Sequence, residues 1–473
     1  MTWETVIGLE THVELATQTK IFCSCTTQFG GDPNTHCCPV CTGMPGALPV
    51  PNGKVVEYAV RAALALGCTV TRHSRFDRKN YFYPDLPKAY QISQLYLPIG
   101  RDGAVEAGGR TVGIHELHME EDAGKLVHDP FTETTLCDYN RCGVPLMEIV
   151  TEPDFRSGEE AADFLERLRT LLDFLGVSDC KMQEGSIRAD VNVSVRPVGS
   201  EALGVRTEMK NLNSIKAVAR AVRAEAERQI ELLREGRAVR QETRRWDDNK
   251  GASFAMRSKE NAQDYRYFPE PDLPPVVLDE AFLSQVRRSM PELPEQKRAR
   301  YLAEYGLTER DAAILLRSAR LGRLLEGLIG RGIPAREAAN WTLGEVLRLL
   351  GEDGLEPADL EIDEEKLARA LRLLLTGRIG RPAARRAVEA VYREGADPEL
   401  FCREHGLFLE KVGEGDLAAA VAKVLAENAD AVEKYRAGSD KVFGFLVGRC
   451  MAALRGKADP ASVNRALREA LER

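Results

Sequence analysis

The 473-residue chain contains no apolar run near the ~20 residues that a bilayer-spanning helix requires, so the sequence predicts no membrane-spanning role. Its first residues, Met1-Thr2-Trp3-Glu4-Thr5-Val6, show neither the basic start nor the apolar segment of a secretion signal, and a cytoplasmic protein is expected. An excess of basic charge is missing too. Sixty-five Lys and Arg against 73 Asp and Glu leave a net charge of −8, which excludes a uniformly basic nucleic-acid coat but not a local basic face. The 11 cysteines are odd in number in a long chain expected inside the cell, which argues against a disulfide framework. The familiar nucleotide and hydrolase signatures are absent. Ala123-Gly124-Lys125 lacks the upstream glycine and following Ser/Thr of a phosphate-binding loop. There is no Gly-x-Gly-x-x-Gly after a strand, no Gly-x-Ser-x-Gly and no His-Glu-x-x-His. Any nucleotide therefore occupies a non-standard site.

Histidine is scarce and unevenly spread. Six of the 7 lie between His12 and His128, which places the chemistry in the first third of the chain. There, residues 4–14 alternate as a half-buried strand, with Glu10, His12 and Glu14 on one side and Ile7, Leu9 and Val13 on the other. Alternate side chains on such a strand stand about 7 Å apart, a row of potential ligands. Residues 188–195 repeat the pattern, with Arg188, Asp190, Asn192 and Ser194 sharing a side. Two such strands imply a site laid across a sheet. Helical periodicity is predicted over 161–175 and 214–235, the second read as a solvated helix with i,i+4 charge pairs.

Proline clusters at Pro269, Pro271, Pro274, Pro275, Pro291 and Pro294, and a domain boundary is placed there. Beyond it the Ala/Leu/Arg/Glu-rich sequence reads as helical almost throughout. The expected class is α+β, an N-terminal mixed domain over 1–290 built on an antiparallel sheet, an all-helical domain over 291–400, and a helical tail over 401–473. From Lys441 onward, Lys441, Arg449, Arg455, Lys457, Arg465, Arg468 and Arg473 face only Asp459, Glu469 and Glu472, a local charge of +4. The small apolar stretch 442–448 suits close helix packing.

Cys23-Ser24-Cys25 and Cys38-Pro39-Val40-Cys41 form two short cysteine pairs joined by a Gly/Pro/Asn-rich loop. Tetrahedral zinc takes four soft ligands from such knuckles, and four thiolates leave no open position, so a structural zinc is expected at Cys23, Cys25, Cys38 and Cys41. Reduced surface thiols are the plain alternative, and His36 and Cys37 make the ligand set ambiguous. His118-Met119-Glu120-Glu121-Asp122-Ala123-Gly124-Lys125 combines three carboxylates with a histidine and a lysine, a set suited to a divalent ion and phosphate oxygens. By itself it also reads as a solvated charge run. However, Glu148 lies in an apolar segment, and an unpaired buried carboxylate costs several kcal/mol. Glu10, His12 and Glu148 meeting the acidic run around one hard cation would satisfy all of them. Salt bridges to Arg141, Lys125 and Arg188 would do so equally. Two aromatic segments, 78–85 and 264–272, pack Tyr and Phe beside Arg, Pro and acid, and are read chiefly as loop cores.

Residues 6–15, 80–85, 118–125, 138–153, 210–214 and 264–272 together resemble the family of B-type subunits of the aspartyl/glutamyl-tRNA amidotransferases, and the likeness runs essentially end to end. The resemblance implies a cradle-like kinase/transamidase domain, a helical domain and a tRNA-binding tail. It implies a ligase forming a carbon–nitrogen bond with glutamine as amido donor. ATP would phosphorylate the side-chain carboxylate of Glu on tRNA(Gln) or Asp on tRNA(Asn), and ammonia would then displace phosphate. Implied partners are the misacylated tRNA and, in a heterotrimer, an amidase subunit together with a small third subunit. Under this reading Glu10, His12, Glu121 and Glu148 are catalytic and hold Mg²⁺, with Glu120 the substitute for Glu121. Lys125 or Arg188 would offset nucleotide charge, and Asp190 and Asn192 would support the cofactor site. A zinc-stapled tRNA-binding or assembly subunit without its own catalytic site is the competing expectation.

Overall fold

The computed structural model describes residues 2–129, 131–258, 264–409, 413–436, 441–454, 458 and 460–471. The chain divides into two compact units, Met1–Gln296 and Lys297–Arg473. Together they form the α+β architecture expected, a sheet-rich first unit and a helical second one.

The strands of the first unit begin with β1 (Trp3–Glu14), β2 (Thr69–Val70), β3 (His73–Ser74), β4 (Asp77–Asn80) and β5 (Tyr90–Ser93). They continue with β6 (Gly100–Ala107), β7 (Arg110–Glu121), β8 (Lys125–Asp129), β9 (Thr134–Asp138), β10 (Pro145–Thr151) and β11 (Ile187–Pro197). Last come β12 (Thr207–Lys210), β13 (Glu242–Asp247), β14 (Ala252–Ser258), β15 (Phe268–Pro269) and β16 (Val276–Val277). Nine of them make one sheet in the order β14-β13-β12-β11-β1-β10-β7-β6-β2. Its pairs are antiparallel except β12 with β13. That parallel pair has a local cause: a helix follows β12 and returns the chain in the same direction before β13, a crossover that antiparallel hairpins do not need.

The period-two pattern decides which face is buried. Ile7, Leu9 and Val13 of β1 join Leu117, Met147, Ile149, Val191 and Val193 in a single apolar core. Three helices close over it: α1 (Gly53–Ala65), α2 (Gly158–Leu175) and α3 (Ile215–Arg234). Each starts at a side-chain cap: Asn52, Ser157 and Ser214 accept backbone N–H groups of the first turn. α2 ends at Gly176, whose φ of 67° is the left-handed conformation that terminates helices. α3 departs from the solvated helix expected of it. Ala217, Val218, Ala221, Val222 and Gln229 are buried along one stripe, because the small residues among its charges recur at helical spacing and fit against β11 and α2.

The second unit is helical through its described residues, from Glu309–Leu315 to Pro460–Leu471, with a π-helical turn at Thr342–Val346. Leu417, Val421, Leu446, Cys450, Val463 and Leu467 form an apolar cluster, but of the small apolar stretch 442–448 only Leu446 is fully buried in it. Gly444 and Gly448 are exposed and mediate no close helix approach, contrary to expectation. Arg449, Arg465 and Arg468 of the basic segment are exposed. Arg455, Lys457, Asp459, Glu472 and Arg473 lie outside the described residues. Among the described residues, no helix is long and apolar enough to cross a membrane.

Candidate active site and metal-binding clusters

The sheet face turned away from the helices carries the chemistry. Register places His118 on β7 opposite Glu148 on β10, Glu148 opposite His12 on β1, and His12 opposite Arg188 on β11. One row of four polar residues thus crosses four adjacent strands. Glu120 follows His118 by two positions and so shares its face. Glu10 and Glu14 flank His12 in the same way, and Asp190 stands opposite Glu10.

His12, Glu120 and Glu148 each direct one ligand atom into a common space, all within 4.8 Å of one another. His12 Nε2 is 3.6 Å from both Glu120 Oε1 and Glu148 Oε2. Those separations are too long for good hydrogen bonds. They fit ligands around one small divalent ion, where donors at ~2.1 Å from the ion sit up to about 4 Å apart. His118 stands behind them, with Nε2 2.7 Å from Glu148 Oε2 and 3.7 Å from Glu120 Oε2. Burial favours a neutral imidazole at His118, yet Glu148 and then Glu120 outweigh it and push its pKa up to about 10. Burial would likewise raise Glu148, but His118 and then His12 hold it well below the usual carboxylate range. Glu10 is shifted the other way, raised by burial and by Glu148, while Asn192 Nδ2 donates to it at 2.8 Å. The site is therefore a buried acid cluster with graded charge.

Of the four residues expected to hold the ion, His12 and Glu148 belong to this ligand set, whereas Glu10 flanks it on the same face, held by Asn192 and not among the converging ligand atoms. Glu121 lies apart from it. It follows Glu120 on a strand, points to the opposite face, and forms a buried ion pair with Lys88 while accepting from the Ile92 backbone N–H at 2.9 Å. Glu120 takes the position expected of it. Lys125 opens β8, is exposed, and is outside the cluster. The lysine whose charge acts on Glu148 is Lys79. Arg188 donates to Asp122 at 2.7 Å, and Asp190 pairs with Lys210, so both are tied into neighbouring ion pairs on the same face. Burial and then Asp122 raise Glu14 to about 7.

The two aromatic segments meet. β4 pairs with β15, Asn80 donates its backbone N–H to Tyr265 at 2.9 Å, and the Tyr81 and Tyr265 rings are 5.7 Å apart edge to face. Lys79 Nζ lies 5.0 Å from the centre of the Tyr265 ring. Burial, then Glu120 and Glu148, raises the Tyr267 hydroxyl, so this cluster borders the acidic site. Arg78 clamps the base of the loop through two bonds to Glu270, at 2.7 and 2.9 Å. Lys88 escaped the sequence reading; His118 and Lys79 were seen only as members of the acidic run and of an aromatic segment, although continuing the β-strand alternation through 118–121 would have separated Glu120 from Glu121.

The sulfurs of Cys23, Cys25, Cys38 and Cys41 all lie within 4.8 Å of one another. Cys38 and Cys41 Sγ are 3.9 Å apart. Tetrahedral zinc with ~2.3 Å bonds sets its sulfurs about 3.8 Å apart, so this donor set can hold a metal and is compatible with zinc. The Cys38 backbone N–H points at Cys41 Sγ from 3.2 Å. A hydrogen bond from Cys23 pushes the Cys41 pKa down to about 4. Cys37 turns away to the Asn34 carbonyl at 3.2 Å and the His36 ring lies against Gly31, so neither joins the four converging sulfurs.

Comparison with known proteins identifies the family. Residues 5–284 match the family model described as the GatB/GatE catalytic domain, and residues 323–471 match a second model described as the GatB domain. The B-type subunit of the aspartyl/glutamyl-tRNA(Asn/Gln) amidotransferase of Lachnoclostridium phytofermentans is 54% identical over 475 residues, covering 100% of this chain and 99% of that protein. The protein of the same name from Caldicellulosiruptor bescii is 54% identical over 480 residues, and that of Thermoanaerobacter pseudethanolicus 50% identical over 477, each covering both chains in full.

Proposed function

The chain belongs to the GatB/GatE family, and from that premise we propose that it is the kinase and transamidase component of an aspartyl/glutamyl-tRNA amidotransferase. Its substrates are ATP and tRNA(Gln) or tRNA(Asn) carrying Glu or Asp, and its class is a ligase forming a carbon–nitrogen bond. The observation that carries the reading is the His12–Glu120–Glu148 cluster on the sheet face turned away from the helices.

A carboxylate resists attack by ammonia because oxide is a poor leaving group. Phosphorylation of the side-chain carboxylate creates a leaving group, and ammonia then replaces phosphate to give the amide. Mg²⁺, when bound by His12, Glu120 and Glu148, would offset charge on the phosphate oxygens. The chain supplies the rest. Glu10 flanks the cluster, its charge disfavoured by burial and by Glu148 and partly supported by the hydrogen bond from Asn192. His118 fixes Glu148 at 2.7 Å, so the ligand does not swing during turnover. Arg188, partly exposed on the same row, offers a guanidinium to nucleotide phosphate. Tyr81, Tyr265 and Tyr267 wall one side against water, which protects an acyl phosphate from hydrolysis. Ammonia reaches this site from a partner amidase that hydrolyses glutamine, within a heterotrimer completed by a small third protein. The four cysteines hold a structural zinc, and the exposed arginines of the C-terminal segment meet tRNA phosphates.

An assembly subunit without its own chemistry has no use for three ligand atoms converging in a largely buried site. Glu148→Gln tests the choice. It should abolish ATP-dependent amide formation on misacylated tRNA while tRNA binding persists, and wild-type turnover by this variant would defeat the assignment.

A further inference from the structure

Lys20 is a fully buried lysine, 0% exposed, at the edge of the cysteine cluster. Burying an ammonium without a counter-charge costs several kcal/mol. Its Nζ donates to the His36 carbonyl at 2.7 Å and to Cys41 Sγ at 3.6 Å. Among the described residues, no carboxylate lies within ion-pair distance of it. The charge that answers this ammonium is therefore on sulfur.

A neutral thiol is a weak acceptor and supplies no counter-charge. Four thiolates on one divalent ion, by contrast, leave two negative charges in a partly buried pocket, which need a cation of their own. The backbone shows that Lys20 is built into that pocket. Its N–H donates to the Cys25 carbonyl at 2.9 Å, and the next residue, Ile21, donates to Gly143 at 2.9 Å. Gly143 has a φ of 80°, and a Cβ there would sit 3.4 Å from Cys41 Cβ and 3.6 Å from Lys20 Cδ. The lysine stem is thus enclosed between one cysteine pair, the other pair and a glycine turn, with its charged end on Cys41.

We propose that Lys20 is the counter-cation of the zinc knuckle, a positioning residue whose ammonium stabilises the thiolate of Cys41 and sets how tightly the metal is retained. This rests on the zinc reading above and adds to it the charge state of the ligands and the residue that balances it. It also explains why a long cationic side chain is tolerated at full burial in an otherwise apolar stretch, Lys20-Ile21-Phe22.

The test is zinc transfer from the purified full-length chain to a chromogenic chelator, with metal content measured after dialysis and folding followed by circular dichroism. Lys20→Met keeps the stem and removes the charge; Lys20→Arg keeps a charge. Lys20→Met should fold and hold zinc ~10–100-fold more weakly, the usual cost of losing a group that supports a metal ligand. Lys20→Arg should recover part of that loss. Wild-type zinc affinity in Lys20→Met overturns the proposal. A wild-type chain that binds no zinc overturns the zinc reading itself, a separate and distinguishable failure. Should Lys20→Met prove unfolded, Lys20→Gln against Lys20→Arg carries the same contrast, and equal zinc retention by those two variants refutes the role of charge.

Discussion

Adjacent residues on one strand allow a sharp experiment. Glu120 and Glu121 are both carboxylates and both buried, yet the sheet sends them to opposite faces, so Glu120→Gln and Glu121→Gln should fail in different ways. Glu121 shares a buried ion pair with Lys88, the two side chains being 4% and 11% exposed. Removing one member strands the other, and losing half of a buried pair costs about 3–5 kcal/mol. At roughly 2 °C or a little more per kcal/mol for a unit of this size, the melting temperature should fall by about 6–12 °C. Divalent-ion binding by the molecules that remain folded should persist. Glu120 instead loses contact with His12 and His118, at 3.6 and 3.7 Å, and removes a ligand atom from the candidate ion site. Relief of repulsion with Glu148 offsets part of the lost attraction, so its stability should change by no more than about 1–2 kcal/mol. Its effect on chemistry should be large: ~10²–10³ in the rate of ATP-dependent amidation, the range seen when one preorganised electrostatic group is removed. The assay pairs differential scanning calorimetry with Mn²⁺ binding and single-turnover amidation, using the assembled enzyme for the last. If Glu121→Gln loses Mn²⁺ binding at an unchanged melting temperature, the assignment of faces is wrong.

The remaining expectations are spread over both units. Gly158 opens α2 where α3 crosses it, and a Cβ there would lie 2.7 Å from Ala219 O and 2.8 Å from its Cα, so Gly158→Ala should cost about 1–3 kcal/mol by urea unfolding. Burial would raise Glu326, but Lys297 and Arg300 outweigh it and hold its pKa low. A depressed acid contributes stability above its unfolded pKa and loses it as pH falls through the folded value. The wild type should therefore exceed Glu326→Gln at neutral pH, and this gap should close on acidification below the normal carboxylate range in pH-dependent urea titrations. Replacing Arg449, Arg465 and Arg468 together with Glu should weaken tRNA binding and flatten its salt dependence by about 3 in logarithmic slope; identical slopes would exclude phosphate contacts by these residues.

What could be seen in the sequence was what local periodicity encodes. Alternation in 4–14 and 188–195 was enough to put Glu10, His12, Arg188, Asp190 and Asn192 on one polar face, because a half-buried strand cannot conceal which side meets the core. Paired cysteines announced their own convergence for a similar reason: a knuckle is a short turn, and its ligands are neighbours before the chain folds. The register between strands is a different kind of fact. Nothing within residues 110–121 says that β7 lies beside β10, or that His118 stands opposite Glu148. That pairing joins segments 30 residues apart and depends on which edges remain free after the hairpins form. The misassigned carboxylate shows where the limit falls. Read as an acidic run, Glu120 and Glu121 are interchangeable; read as strand positions they are opposites, one facing two histidines and the other a lysine. The same distinction accounts for Lys20 and Lys88. Composition treats a lysine as surface charge, and only tertiary packing shows Lys20 fully buried against Cys41 and Lys88 largely buried against Glu121. Ionic partners are chosen after the core has formed, so the residues that tune a site are the least visible in sequence, while those that line its face are the most.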